Sequence, residues 1–173
     1  MALLLACLCT TISLTVLIVA CLGGGTGGYT TRHGIRVSGD EHTQHILPKA
    51  SVELATHAVL NEAREIDPRY TPERLKRIQY CSIEFVEEPF KCGYVPTGLC
   101  SGVYYPKKCK MKVALKGDDC GSNTALTHEI IHAVNDLVEQ RTYSHGSQLF
   151  YGSDSVNAKA NQTLWEYCEG DES

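Results

Sequence analysis

The chain's clearest chemical signal is His128-Glu129-Ile130-Ile131-His132, two imidazoles four residues apart with a carboxylate directly after the first. On a helix, positions i and i+4 lie one above the other on the same face. Two imidazoles so placed can grip one Zn²⁺, and the Glu after the first lands beside the remaining coordination position. A cation held in this way turns water into a nucleophile at neutral pH. The pattern predicts His128 and His132 as metal ligands, Glu129 as general base and Zn²⁺ as cofactor. The competing reading is a surface helix that happens to carry two His.

The segment around the motif, residues 124–138, reads as helix. Leu126, Ile130, Val134 and Leu137 fall at helical spacing and form an apolar stripe. His128, His132 and Glu139 lie on a different sector, so the two His need not be core residues. Thr124 and Thr127 offer side-chain oxygens near the helix start, where a cap is wanted. Asp136 and Glu139 follow on the same helix. At 1.5 Å per residue Glu139 starts about 10 Å along the axis from His132, too far to share a tetrahedral ion, and Asp136 about 6 Å. Both read as outer support or solvated face.

Upstream, Pro48 to Ile66 has a broad apolar helical face that Pro68 closes, and Thr71-Pro72-Glu73 starts a second helix with Thr71 as cap. Cys81 to Phe90, Ser101 to Tyr105 and Lys110 to Lys116 read as strands; in the last, Met111, Val113 and Leu115 alternate with Lys110, Lys112 and Lys116. Residues 140–155 are irregular, and Val156 to Tyr167 reads as a final helix. Helices, then a short mixed sheet, then the motif helix give an α+β domain.

Residues 1–31 contain no charged side chain, and Leu3 to Leu22 is nearly all apolar. Residues 1–22 therefore read as a signal peptide or membrane anchor, although the usual basic start is missing. Residues 23–47, a mixture of Gly, Thr, His and charge without periodicity, read as a linker or short pro-segment. One domain follows, residues 48–173. Of nine Cys, three lie in or at the edge of the leader. Cys81, Cys92, Cys100, Cys109, Cys120 and Cys168 remain, enough for three disulfides in a small exported domain. Fifteen pairings are open. The expected location is extracellular, or membrane-anchored with the domain on the exoplasmic side. A net charge of −4 with no basic run argues against nucleic acid as a partner.

The stretch Thr127 to Ala133 resembles the zincin metallopeptidases. The resemblance implies a small zincin-like domain at residues 48–173 that hydrolyses peptide bonds in a peptide or protein substrate. Zincins need a third protein ligand. The metzincin pattern wants Gly and His or Asp where this chain has Asn135 and Val138, and a downstream Met where it has none. Gluzincins take a Glu from a second helix, for which Glu166 is suitably placed. Aspzincins, the deuterolysin group, take an Asp from a loop after the helix, and Tyr151-Gly152-Ser153-Asp154 is the nearest equivalent here. The Tyr-Tyr strand before the motif and Asn161 to Tyr167 also look like that group, so the likeness spans about residues 100 to 168. Asp154 is thus the expected third ligand and Glu166 the alternative. Tyr151, Tyr143 and His145 are candidate donors to a developing oxyanion, Tyr151 first. The strand Lys110 to Lys116 is expected to line the cleft and pair with an extended substrate. A reading from another class is a non-catalytic, secreted, disulfide-rich binding or effector module.

Overall fold

The computed structural model describes residues 27–93, 96, 98–115, 123–139, 145 and 148–170. The architecture is α+β. Among the described residues seven strands run β1 (Gly28–Thr30), β2 (Arg36–Gly39), β3 (Ser82–Val86), β4 (Phe90–Lys91), β5 (Leu99–Cys100), β6 (Gly102–Tyr105) and β7 (Lys110–Ala114). Four α-helices among the same residues run α1 (Lys49–Ile66), α2 (Pro72–Leu75), α3 (Asn123–Glu139) and α4 (Val156–Gly170). Strands β1-β2-β3-β7-β6 form a mixed sheet in that order, with β2-β3-β7 parallel and the two margins antiparallel; β4 and β5 form a separate small ribbon.

Two rungs cross the sheet on its inner face. Val37, Ile83, Met111 and Tyr104 make one; Gly39, Phe85, Val113 and Gly102 make the other. The large members of both are buried. Each buried apolar side chain of this size contributes roughly 1.5–3 kcal/mol on leaving water. Strand β3 alternates buried Ile83 and Phe85 with half-buried Ser82, Glu84 and Val86, as the period of two requires.

Helix α1 packs on α3 and α4, and α3 also lies against β6 and β7. Val52, Ala55, Val59 and Ala63 give α1 its fully buried stripe. Asp67, extended, ends it one residue before Pro68. Thr71 caps α2 by accepting from the Arg74 N–H, with Pro72 at the first position. Ser155 Oγ accepts from the Ala158 N–H at 3.1 Å and starts α4, whose Val156, Ala160 and Leu164 are fully buried. Helix α3 is enclosed on more sides than an apolar stripe implies: Ile131 and Ala133 are buried with Leu126, Ile130 and Val134, because α3 is held between the sheet and the other long helices.

Two expectations change. Residues 28–39 are not linker but strands β1 and β2, joined to β3 with Ile35 and Val37 in the core. And β7 has β3 on one side and β6 on the other, so it offers no edge to a substrate; β6 is the margin. The β7 lysines face away from α3. Lys110 pairs with Glu84 at 2.9 Å, and Lys112 lies over the Phe90 ring at 4.6 Å.

Disulfides join Cys81 to Cys109 and Cys92 to Cys100, and Cys168 is also disulfide-bonded. These bonds are consistent with an oxidising, extracellular setting. Among the described residues no helix is long and apolar enough to cross a membrane, and residues 1–22, expected to be a signal peptide or anchor, lie outside them.

Candidate metal centre

Three imidazoles converge where α3 meets the segment that follows it. His128 Nε2 lies 3.1 Å from His132 Nε2 and 3.1 Å from His145 Nε2. One nitrogen from each of the three rings falls within 4.8 Å of the others, a cluster that could hold a metal ion. The first two rings meet because helical pitch stacks i on i+4. The third arrives from outside the helix. Two zinc–nitrogen bonds of about 2.0–2.1 Å at a tetrahedral angle put the nitrogens roughly 3.3 Å apart, close to the two separations of 3.1 Å from His128. The donor set therefore fits a small divalent cation.

Phe150 backs the cluster. Its ring centroid lies 5.1, 4.8 and 5.0 Å from those of His128, His132 and His145, and the residue is buried. An apolar wall of this kind fixes ring orientation and keeps water from one side. His132 is buried as well, and His145 is exposed. Burial, then the charge His145 would carry, holds His128 down at about 4, so its ring is neutral at pH 7.

Glu129 is 5% exposed, and burial pushes its carboxyl up to about 8. A group with so little affinity for being charged alone suits a site that a cation enters. Its place is made by the sheet. Gly102 ends the second rung, and a Cβ there would sit 2.7 Å from Glu129 Oε1 and 2.9 Å from its Cγ. Only a residue without a side chain lets β6 come this close. Beside them opens a cleft of about 400 Å³, lined by Leu99, Ser101, Gly102, Thr124, His128 and Glu129 among others. The cleft meets the margin strand at its first residue, Gly102.

The lower half of α3 is anchored. Tyr104 on β6 donates to Asp136 Oδ2 at 2.8 Å; burial, then this bond, raises the Tyr104 hydroxyl well above its ordinary value. Tyr70 donates to Asn135 Oδ1 and Glu139 Oε1, each at 3.3 Å, and Arg69 pairs with Glu139 at 2.8 Å. Asp136 and Glu139 thus tie the helix to its neighbours.

The cluster brings together His128, His132 and His145, not Asp154 or Glu166. Asp154 is exposed in a turn, and Glu166 is exposed on α4, accepting from Gln162 at 2.9 Å. Tyr151 is 68% exposed, one residue beyond Phe150, and it is the Phe150 ring that meets the imidazoles. Tyr143 lies outside the described residues. Sequence reasoning gave His145 a hydrogen-bonding task and overlooked Phe150 and Gly102. A His thirteen residues beyond the motif carries no helical spacing to mark it, and neither a lone Phe nor a lone Gly signals its neighbour. No protein-family model, curated protein or solved structure matches the chain.

Proposed function

We propose that the chain is a zinc-dependent peptide hydrolase in which His128, His132 and His145 hold the ion and Glu129 is the general base. The observation that supports this best is the meeting of three imidazole nitrogens beside a buried carboxylate at the mouth of a cleft. The reading places the chain with the zincins by its motif alone, and takes His145 in place of Asp154 as third ligand. When bound, the ion supplies Lewis acidity, polarising a carbonyl and lowering the pKa of water.

The chain's own residues do the rest. Glu129 accepts a proton from the attacking water and delivers it to the leaving amine nitrogen. Gly102 leaves room for the carboxylate to line the cleft. The margin strand β6 presents backbone groups on which an extended peptide can form a further strand. Phe150 shields one side of the cluster, so that charge developing in the cleft is felt through little water. The disulfides support action outside the cell.

The test is metal analysis together with proteolysis of an unfolded protein such as reduced casein. The purified chain is expected to carry one zinc and to cleave; a chelator removes both. Glu129→Gln is expected to keep zinc and lose roughly 10²–10⁴-fold in rate. Full activity in Glu129→Gln ends the mechanism. A chain without stoichiometric metal leaves a disulfide-braced binding module.

A further inference from the structure

A second cavity, of about 550 Å³, shares no lining residue with the cleft at the imidazoles. Its floor is apolar and buried, made by Leu60, Leu75 and Ile78. Its rim is cationic: Arg32, Arg64 and Lys76 line it, and no carboxylate does. That is a marked local departure in a chain with 20 acidic and 16 basic side chains. The volume falls within the range of small-molecule sites, about 300–1,000 Å³.

The wall is built in place. The turn between β1 and β2 closes on itself: Thr31 N donates to Ile35 O at 2.9 Å, and Ile35 N donates to Thr31 Oγ1 at 3.0 Å. Gly34 takes a left-handed φ of 84°, and a Cβ there would lie 2.6 Å from Gln79 Cβ, so the turn sits directly on the segment after α2. Arg32 is fixed to α1 through Glu53, which accepts from its backbone N–H at 2.8 Å and pairs with its guanidinium at 3.5 Å. His33 and His57 stack with centroids 6.0 Å apart, and burial, then Arg32, holds His33 below its ordinary value. His33 therefore brings a flat face rather than charge. Among the described residues Arg64 and Lys76 form no ion pair. Three cations against the Glu53 carboxylate leave a net charge of two positive at the rim.

We propose that this cavity binds a small phosphate monoester with a flat apolar body, the phosphate at Arg32, Arg64 and Lys76 and the body over Leu60, Leu75 and Ile78. A phosphate monoester carries about −1.5 to −2 charge at pH 7, which matches the rim; a sulfate ester or carboxylate carries one charge and does not. Arg forks and a Lys point charge together suit a tetrahedral oxyanion. The tethered turn means that Arg32 and His33 need little further ordering on binding.

The experiment is a ¹⁵N chemical-shift titration of the chain with phenyl phosphate, inorganic phosphate, phenyl sulfate and phenol, run beside the Arg64→Gln/Lys76→Gln variant. Both substituted side chains are exposed, so the variant is expected to melt as the parent does. Phenyl phosphate is expected to shift the amides of Arg32, His33, Arg64 and Lys76. It is expected to bind about tenfold tighter than inorganic phosphate, because the ring leaves water, and about tenfold tighter than phenyl sulfate. The double variant is expected to lose at least about tenfold for phenyl phosphate. Shifts confined to the His128 region, or equal affinity in the variant, overturn the site. Equal affinity for phenyl phosphate and inorganic phosphate overturns the role of the apolar floor, and equal affinity for phenyl sulfate overturns the charge match.

Discussion

The two halves of the imidazole cluster are made in different ways. His128 and His132 are held by one helix whose Leu126, Ile130, Ile131, Ala133 and Val134 are all buried, and whose far end is tied by Asp136 and Glu139. His145 comes from an exposed position after the helix and reaches the pair through ring contacts with His128, His132 and Phe150. The first half is local geometry fixed by hydrogen bonding along a helix. The second depends on tertiary packing, and on one aromatic ring above all. The helical half is thus enclosed by the core, while the other half is one exposed imidazole packed against it.

Removing single rings from the cluster is expected to separate the two halves most strongly. His132→Ala is expected to abolish zinc retention, whereas His145→Ala, which leaves the helical pair intact, is expected to weaken it to a dialysable level; Asp154→Ala is expected to change neither. Metal content after dialysis reads all three, and zinc loss in Asp154→Ala alone would return that residue to the ligand set. Phe150→Ala comes next. It is expected to cost about 3–5 kcal/mol in chemical denaturation and to weaken zinc as His145→Ala does, leaving the helix intact by circular dichroism.

Gly102→Ala tests the rigid half. A methyl group 2.7 Å from Glu129 Oε1 must displace the carboxylate or the strand. The expected cost is about 1–3 kcal/mol, with zinc kept and turnover reduced. Tyr104→Phe is the smallest change. It removes the bond to Asp136 and is expected to cost about 1 kcal/mol with zinc content unchanged.

Most of the helical frame was legible in the residues. The stripe of Val52, Ala55, Val59 and Ala63, the Thr71-Pro72 start and the alternation of Met111 and Val113 each describe one element acting alone. Strands β1 and β2 were not, because three and four residues leave no periodicity to read, and Val37 finds its place only by lying in parallel beside Ile83, far along the chain. The margin position of β6 was equally hidden: strand order is a property of pairing, and β7 carries the stronger alternation. In the site, the helical pair followed from spacing, while His145 and Phe150 follow from how the chain returns to the helix.

The open side of β6 has one more consequence. Backbone donors and acceptors that can welcome a peptide can also welcome another sheet, and exposed margins are where soluble proteins clump. On this margin the run without a strand partner on its outer side is Gly102–Tyr105, stopped by Pro106 after it and preceded by a ribbon that the Cys92–Cys100 bond holds together. That strand of four residues is shorter than the six- or seven-residue segments that stack into fibrils, so this rim can receive a peptide without being long enough to stack on a copy of itself.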